Sequence, residues 1–89
     1  MSYQLIFGPD SAKFIEKLSK DLREKIFKKI YSTIDNPFHF FEQLERRTDF
    51  KLRVGDYRVI ADINIALKRI EVTFVEHRKK VYKILNRDD

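Results

Sequence analysis

Eighty-nine residues with no cysteine, and with only His39 and His77 as histidines, leave room for one compact domain, 1–89, and exclude disulfides and thiolate or paired-histidine metal sites. No apolar run approaches the roughly 20 residues that cross a bilayer, and the opening MSYQLIF lacks the basic-then-apolar layout of a secretion signal, so a reduced, cytoplasmic, globular protein without cofactor or metal is expected. The net charge of +5 divides as +1 over residues 1–49 and +4 over residues 50–89, which directs an anionic partner to the C-terminal half.

Residues 3–7, YQLIF, form a short β-like run stopped by Gly8-Pro9, a pair that strand interiors reject. Asp10 or Ser11 offers an N-cap for a helix beginning there. Apolar residues then recur at helical spacing through Ala12, Ile15, Leu18, Leu22, Ile26, Ile30 and Ile34, with Phe27 and Tyr31 widening the stripe. Ser19-Lys20-Asp21 interrupts it, which predicts two helices, about 11–19 and 21–36, folded as an antiparallel hairpin. Asn36-Pro37 closes the second helix, because the residue before proline leaves the α region. Residues 38–49 are irregular, yet Phe38, Phe40, Phe41 and Leu44 are too apolar for a free linker. They are expected to pack back against the domain rather than to form a ligand platform.

Residues 50–54 alternate, with Phe50, Leu52 and Val54 on one side and Lys51 and Arg53 on the other. Gly55-Asp56 signals a turn. Residues 57–65 and 68–76, dense in Val, Ile and Phe, predict central strands covered on both faces. Residues 79–87 predict a last short helix whose apolar side is Val81, Ile84 and Leu85. The order β-α-α-β-β-β-α is an α+β arrangement: an N-terminal strand, a two-helix hairpin packed on a mainly antiparallel sheet, and a short C-terminal helix.

Phosphate loops, HExxH pairs and Ser/His/Asp sets are missing from the chain. What remains is a set of cations on the predicted sheet: Lys51, Arg53, Arg58 and Arg78, with Lys79, Lys80 and Lys83 beyond. Lys51 and Arg53 share a strand face, Arg58 lies just past a tight turn, and His77-Arg78 is expected at the same sheet end. Arg58 and Arg78 are read as strand-end residues among polar neighbours. Guanidinium groups gathered at one place suit a pentavalent phosphorane, whose equatorial oxygens gather negative charge, and they bind phosphate bidentately as lysine cannot. A solvated basic surface is the plainer reading of each cation taken singly.

The run Phe50-Lys51-Leu52-Arg53-Val54-Gly55-Asp56-Tyr57-Arg58-Val59-Ile60 closely resembles the central signature of RelE/ParE-superfamily toxins. Val75-Glu76-His77-Arg78-Lys79-Lys80-Val81-Tyr82 resembles the second signature, an HR pair with a tyrosine four residues further on. The resemblance spans the whole chain in element order and implies a RelE-like fold. It further implies a ribosome-dependent, metal-independent endoribonuclease that cuts mRNA in the A site and is neutralised by a RelB-like antitoxin. In such a reaction a 2′-OH attacks the adjacent phosphate and leaves a 2′,3′-cyclic phosphate. By position, Arg58 is implied to stabilise the transition state and Arg78 to assist the leaving oxygen. Lys51 and Arg53 are implied to orient the RNA, Tyr82 to stack on a base or assist proton transfer, and Lys79, Lys80 and Lys83 to bind phosphates. The general base stays open among Lys51, Glu76, His77 and Tyr82, since arginine hardly deprotonates and Glu76 stands where the family commonly has glycine. Two other readings remain: a ParE-like toxin that inhibits DNA gyrase without nuclease chemistry, and a non-catalytic RNA- or ribosome-binding module.

Overall fold

The computed structural model describes Ser2–Ile84, apart from the side chains of Tyr82 and Ile84. In chain order come β1 (Gln4–Phe7), α1 (Pro9–Glu16), α2 (Lys20–Tyr31), a 3-10 turn (Pro37–His39), β2 (Glu42–Gln43), β3 (Phe50–Val54), β4 (Tyr57–Asn64), β5 (Arg69–His77) and α3 (Arg78–Ile84). The sheet order is β1-β5-β4-β3-β2. β1 runs parallel to β5, and the other pairs are antiparallel. The expected α+β architecture is what forms. Among the described residues, no helix is long and apolar enough to cross a membrane.

Both helices of the hairpin are shorter than their apolar stripe suggests. α1 starts earlier than expected, because Pro9 sits at its first position, where the missing N–H does no harm. Neither Asp10 nor Ser11 caps it. The buried Ser11 hydroxyl is instead shared between the carbonyls of Gly8 (2.9 Å) and Val72 (2.8 Å), tying the helix start to β5. α2 is capped by Ser19, whose Oγ accepts from the Leu22 amide at 3.3 Å. It stops at Tyr31 rather than at residue 36. The hydroxyls of Ser32 and Thr33 donate back to the carbonyls of Lys29 and Ile30, both at 2.6 Å, and the chain leaves the α-helix through tighter turns.

Residues 38–49 hold more order than expected. Phe41 and Leu44 are buried as anticipated, whereas Phe38 and Phe40 are 42% and 38% exposed. Glu42 and Gln43 add a two-residue edge strand opposite Lys51 and Phe50. The loop after this strand is closed by a bidentate ion pair: Arg47 Nε and Nη2 donate to Asp49 Oδ1 and Oδ2, each at 2.8 Å.

β4 is covered on both sides, as its composition implies. Val59 and Ala61 face the hairpin, in one core with Ile15, Ile26, Ile30, Leu52 and Val75. Ile60 points the other way and packs with Leu44, Phe74 and Val81 of α3. Between Ile60 and Ala61 the pairing slips: Ile60 opposes Phe74 but Ala61 opposes Val72, so Thr73 is an extra residue in β5. The helix expected over 79–87 begins one residue earlier, at Arg78, and its end at 85–87, with Leu85, lies outside the described residues.

The Arg47 hydrogen bond holds the Asp49 carboxyl below its ordinary value of 3.8, with the nearby positive charge adding to the effect against desolvation. A depressed folded pKa contributes stability that is complete above the unfolded value and is lost as pH falls through the folded one. Asp49→Asn should therefore remove part of the stability difference between neutral and strongly acid pH, measured by urea denaturation. Arg47 is half exposed, so the loss is expected to stay within about 1 kcal/mol.

Candidate active site

The turn between β3 and β4 has two residues, Gly55 and Asp56, because Val54 and Tyr57 are paired across it. Gly55 takes φ +59°, the positive value that glycine adopts at the first position of such a loop without steric cost. Immediately beyond the turn Arg53 stands opposite Arg58, and Arg58 stands opposite Glu76. Directly opposed residues share a sheet face, so the three side chains form one row. Lys51 lies one row further along that face, opposite Ile60.

Arg53 is exposed, but Arg58 is only 3% exposed. Its Nη1 donates to the carbonyls of Gly55 (2.9 Å) and Tyr57 (2.8 Å), folding the guanidinium back onto the turn. Its Nε is buried and has no acceptor among the described residues. Among the described residues no carboxylate lies within ion-pairing distance of it. The strand-end, polar setting expected for Arg58 is therefore corrected. It holds for Arg78, which is half exposed, donates its amide to Asp56 O at 2.8 Å and keeps Nε 3.8 Å from Asp56 Oδ1.

The bulge at Thr73 shifts the alternation of β5. Ile70 and Val72 face the hairpin before it, and Val75 does so after it. Glu76 consequently falls on the Arg58 face and His77 on the opposite one, paired with Tyr57. The His77 ring meets the Tyr57 ring edge-on at 5.4 Å, and its Nδ1 accepts the Lys79 amide at 3.3 Å. The sheet thus brings Arg53, Arg58, Glu76 and Arg78 to one end and turns His77 away from the row. Lys79, Lys80 and Lys83 are exposed on α3. Tyr82 belongs to α3, but its side chain lies outside the described residues. Among the described residues no group of three or more histidines and carboxylates gathers as a metal would require.

Glu76 was already a candidate base by its place in the signature, but the sheet face it takes was not legible in the sequence. Ile70, Val72 and Phe74 alternate without a break, so the period of two runs on past Thr73 and gives no sign of the bulge that resets the faces.

The family model for the ParE toxin of type II toxin–antitoxin systems, parDE, matches residues 5–82. The chain belongs to the RelE/ParE superfamily of type II toxins. Solved structures show the same fold. A chain of the RelBE2 toxin–antitoxin complex from Mycobacterium tuberculosis has a TM-score of 0.81 at 20% identity, covering 88% of this chain and 100% of that one. A chain of the archaeal RelE–RelB complex from Pyrococcus horikoshii has a TM-score of 0.75 at 24% identity, over 88% and 97%. The isolated Escherichia coli RelE toxin has a TM-score of 0.74 at 21% identity, over 97% of each chain. Comparison with curated protein sequences found no match.

In this toxin the Arg58 site is built at the expense of stability. A buried cation with an orphan donor and no counter-charge is unfavourable. Methionine, of similar length and without polar hydrogens, removes the burden while filling the space. Arg58→Met is expected to raise the free energy of unfolding by about 1 kcal/mol or more. Arg58→Ala leaves a void and is expected to lower it by about 1–3 kcal/mol. Urea denaturation of both variants tests the pair; destabilisation by methionine would show that the bonds to the turn carbonyls outweigh the buried charge.

Proposed function

We propose that this toxin is a ribosome-dependent endoribonuclease that cuts mRNA in the A site and is neutralised by a RelB-like antitoxin. The observation that carries the reading is Arg58, buried, without a carboxylate partner among the described residues and one strand away from Arg53. A scissile phosphate brings what that guanidinium lacks among the described residues, an acceptor for Nε and a negative charge. Preorganised charge of this kind is worth most where water is excluded. The family signature assigns Arg58 to the developing phosphorane, Arg78 to the departing 5′ oxygen, Lys51 and Arg53 to orienting the RNA, and Tyr82 to stacking on a base. Charge stabilisation is assigned to guanidinium groups rather than to a divalent ion.

For the base, the register supports Glu76 over His77. Glu76 lies opposite Arg58, half-buried on the same face, while His77 packs on Tyr57 on the other side. In the proposed step the Glu76 carboxylate accepts the 2′-OH proton as O2′ bonds to phosphorus in line and the P–O5′ bond breaks. The 5′ oxygen leaves beside Arg78 and is protonated to a 5′-OH, with a 2′,3′-cyclic phosphate on the other fragment. RelB partnership is supported by the relatives from M. tuberculosis and P. horikoshii, whose structures are toxin–antitoxin complexes. Such an antitoxin would cover the Arg53–Arg58 row or the lysines of α3 with acidic side chains. The matching family model is that of ParE toxins, which favours a second reading, inhibition of DNA gyrase without cleavage.

Single-turnover cleavage of mRNA on purified ribosomes decides between them. Arg58→Met and Arg78→Ala are each expected to slow cleavage by about 10²–10³-fold, and Glu76→Gln by about 10²–10⁴-fold, with a cooperative melt retained. The products should end in 2′,3′-cyclic phosphate. Ends bearing 3′-OH and 5′-phosphate would sink the chemistry. Growth arrest by a wild-type protein that cuts no RNA would overturn the nuclease reading in favour of the gyrase one, which inhibition of purified gyrase then tests.

A further inference from the structure

Three lysines of α2 stand outside the Arg58 row. Lys25, Lys28 and Lys29 are spaced i, i+3 and i+4, so they project from one side of the helix. That side faces the outer end of β3, and the two walls enclose an open cleft of about 450 Å³ between these lysines and Arg53, Val54 and Gly55. Lys25 reaches the turn itself: a Cβ added at Gly55 would lie 3.1 Å from its Nζ. A second cleft, of about 530 Å³, shares Lys29 and Arg53 with the first and continues past Phe40 to Lys51. The two form one trough around the β3 edge of the sheet. It starts at Arg53, which also belongs to the Arg58 row.

The trough's charge is one-sided. Among the described residues, the first cleft has four cations and no carboxylate in its lining, and the second has Glu42 as its one carboxylate. Asp21 and Glu24 lie beyond Lys25, in the neighbouring depression, and bound the basic region. Among the described residues, Lys25, Lys28, Lys29 and Arg53 have no ion-pair partner. Like charges at these helical spacings are destabilising. The helix dipole offsets this for Lys28 and Lys29 in the last turn of α2, but it does not account for Arg53 on the facing wall. Lys29 is held in place by Phe40, with Nζ 5.2 Å from the ring centroid, so its charge is positioned at the junction of the two clefts rather than dispersed in solvent.

We propose that this trough is a second RNA site, which binds the phosphodiester backbone of a strand leading away from the Arg58 row. A line of cations spread over two facing elements matches a polymer with one charge per nucleotide better than a single small anion. The binding it predicts is independent of base identity, and it is separable from cleavage.

The test uses a short 2′-O-methyl oligouridylate, which lacks the attacking hydroxyl and cannot be cut, titrated against the full chain over a salt series. Replacing Lys25, Lys28 and Lys29 together by alanine is expected to weaken binding about tenfold and to flatten the salt dependence by about 0.7 in logarithmic slope per lysine. The control carries the same loss of charge elsewhere, Lys13→Ala, Lys17→Ala and Lys20→Ala, and should bind more nearly like wild type. All these positions are exposed or half-exposed on or beside helices, so a urea melt should show both variants folded. Equal weakening in the control would reduce the effect to net charge and overturn the site. Unchanged RNA binding in the α2 variant, with loss of antitoxin binding, would overturn it in favour of an acidic protein partner. Because cleavage is not read, an intact trough with no nuclease activity would count only against the enzymatic reading.

Discussion

Opposite Ile60, β5 carries one residue more than β4, and the surplus residue, Thr73, is tied to the Ile60 carbonyl by its hydroxyl at 3.2 Å. This bulge lets one strand serve two cores. Before it, Ile70 and Val72 fill the hairpin side; after it, Val75 returns to that side while Phe74 joins Leu44, Ile60 and Val81 under α3. A regular strand would put Phe74 on the hairpin side and exchange it for the smaller Val75 under α3. The same shift sends Glu76 to the Arg58 row and His77 to the Tyr57 face. The chemistry proposed for the site therefore rests on a packing device in mid-sheet.

Arg58 is the point where fold and site are in tension. Its neighbours on β4, Val59, Ile60 and Ala61, are all buried, and the strand draws the arginine in with them. Two turn carbonyls satisfy one nitrogen, yet no carboxylate among the described residues neutralises the charge. Arg53 stands directly across, where a like charge is unfavourable. A fold under selection for stability alone would place an apolar residue there, whereas an anion-binding site gains from a cation that water does not screen. The Gly55 turn makes this possible, since its carbonyls anchor the guanidinium without supplying negative charge.

Basic groups thus occupy two sides of β3. One set lies on the face with Arg58, and the other runs along α2 around the edge. Arg53 is common to both because β2 pairs only as far as Lys51 and leaves the last part of β3 uncovered. A longer β2 would close the trough and separate the two sets.

Several features were decided by the sequence alone. Helical spacing from Ala12, the Gly8-Pro9 stop, the alternation of residues 50–54 and the density of β-branched residues after Tyr57 are local signals, and each produced its element. The basic-strand and HR signatures were equally legible, since they are runs of adjacent residues. What remained hidden depended on competition for backbone hydrogen bonds or on partners distant in the chain. α2 ends five residues early because hydroxyls compete locally for its carbonyls. β2 forms only because β3 is there to pair with. The burial of Arg58, the face assigned to Glu76 and the facing of Lys25 by Arg53 depend on register, bulge and cross-element packing. None of these leaves a periodic trace in a single segment, because side-chain direction in a sheet is fixed by how strands pair, and only the tertiary structure decides that.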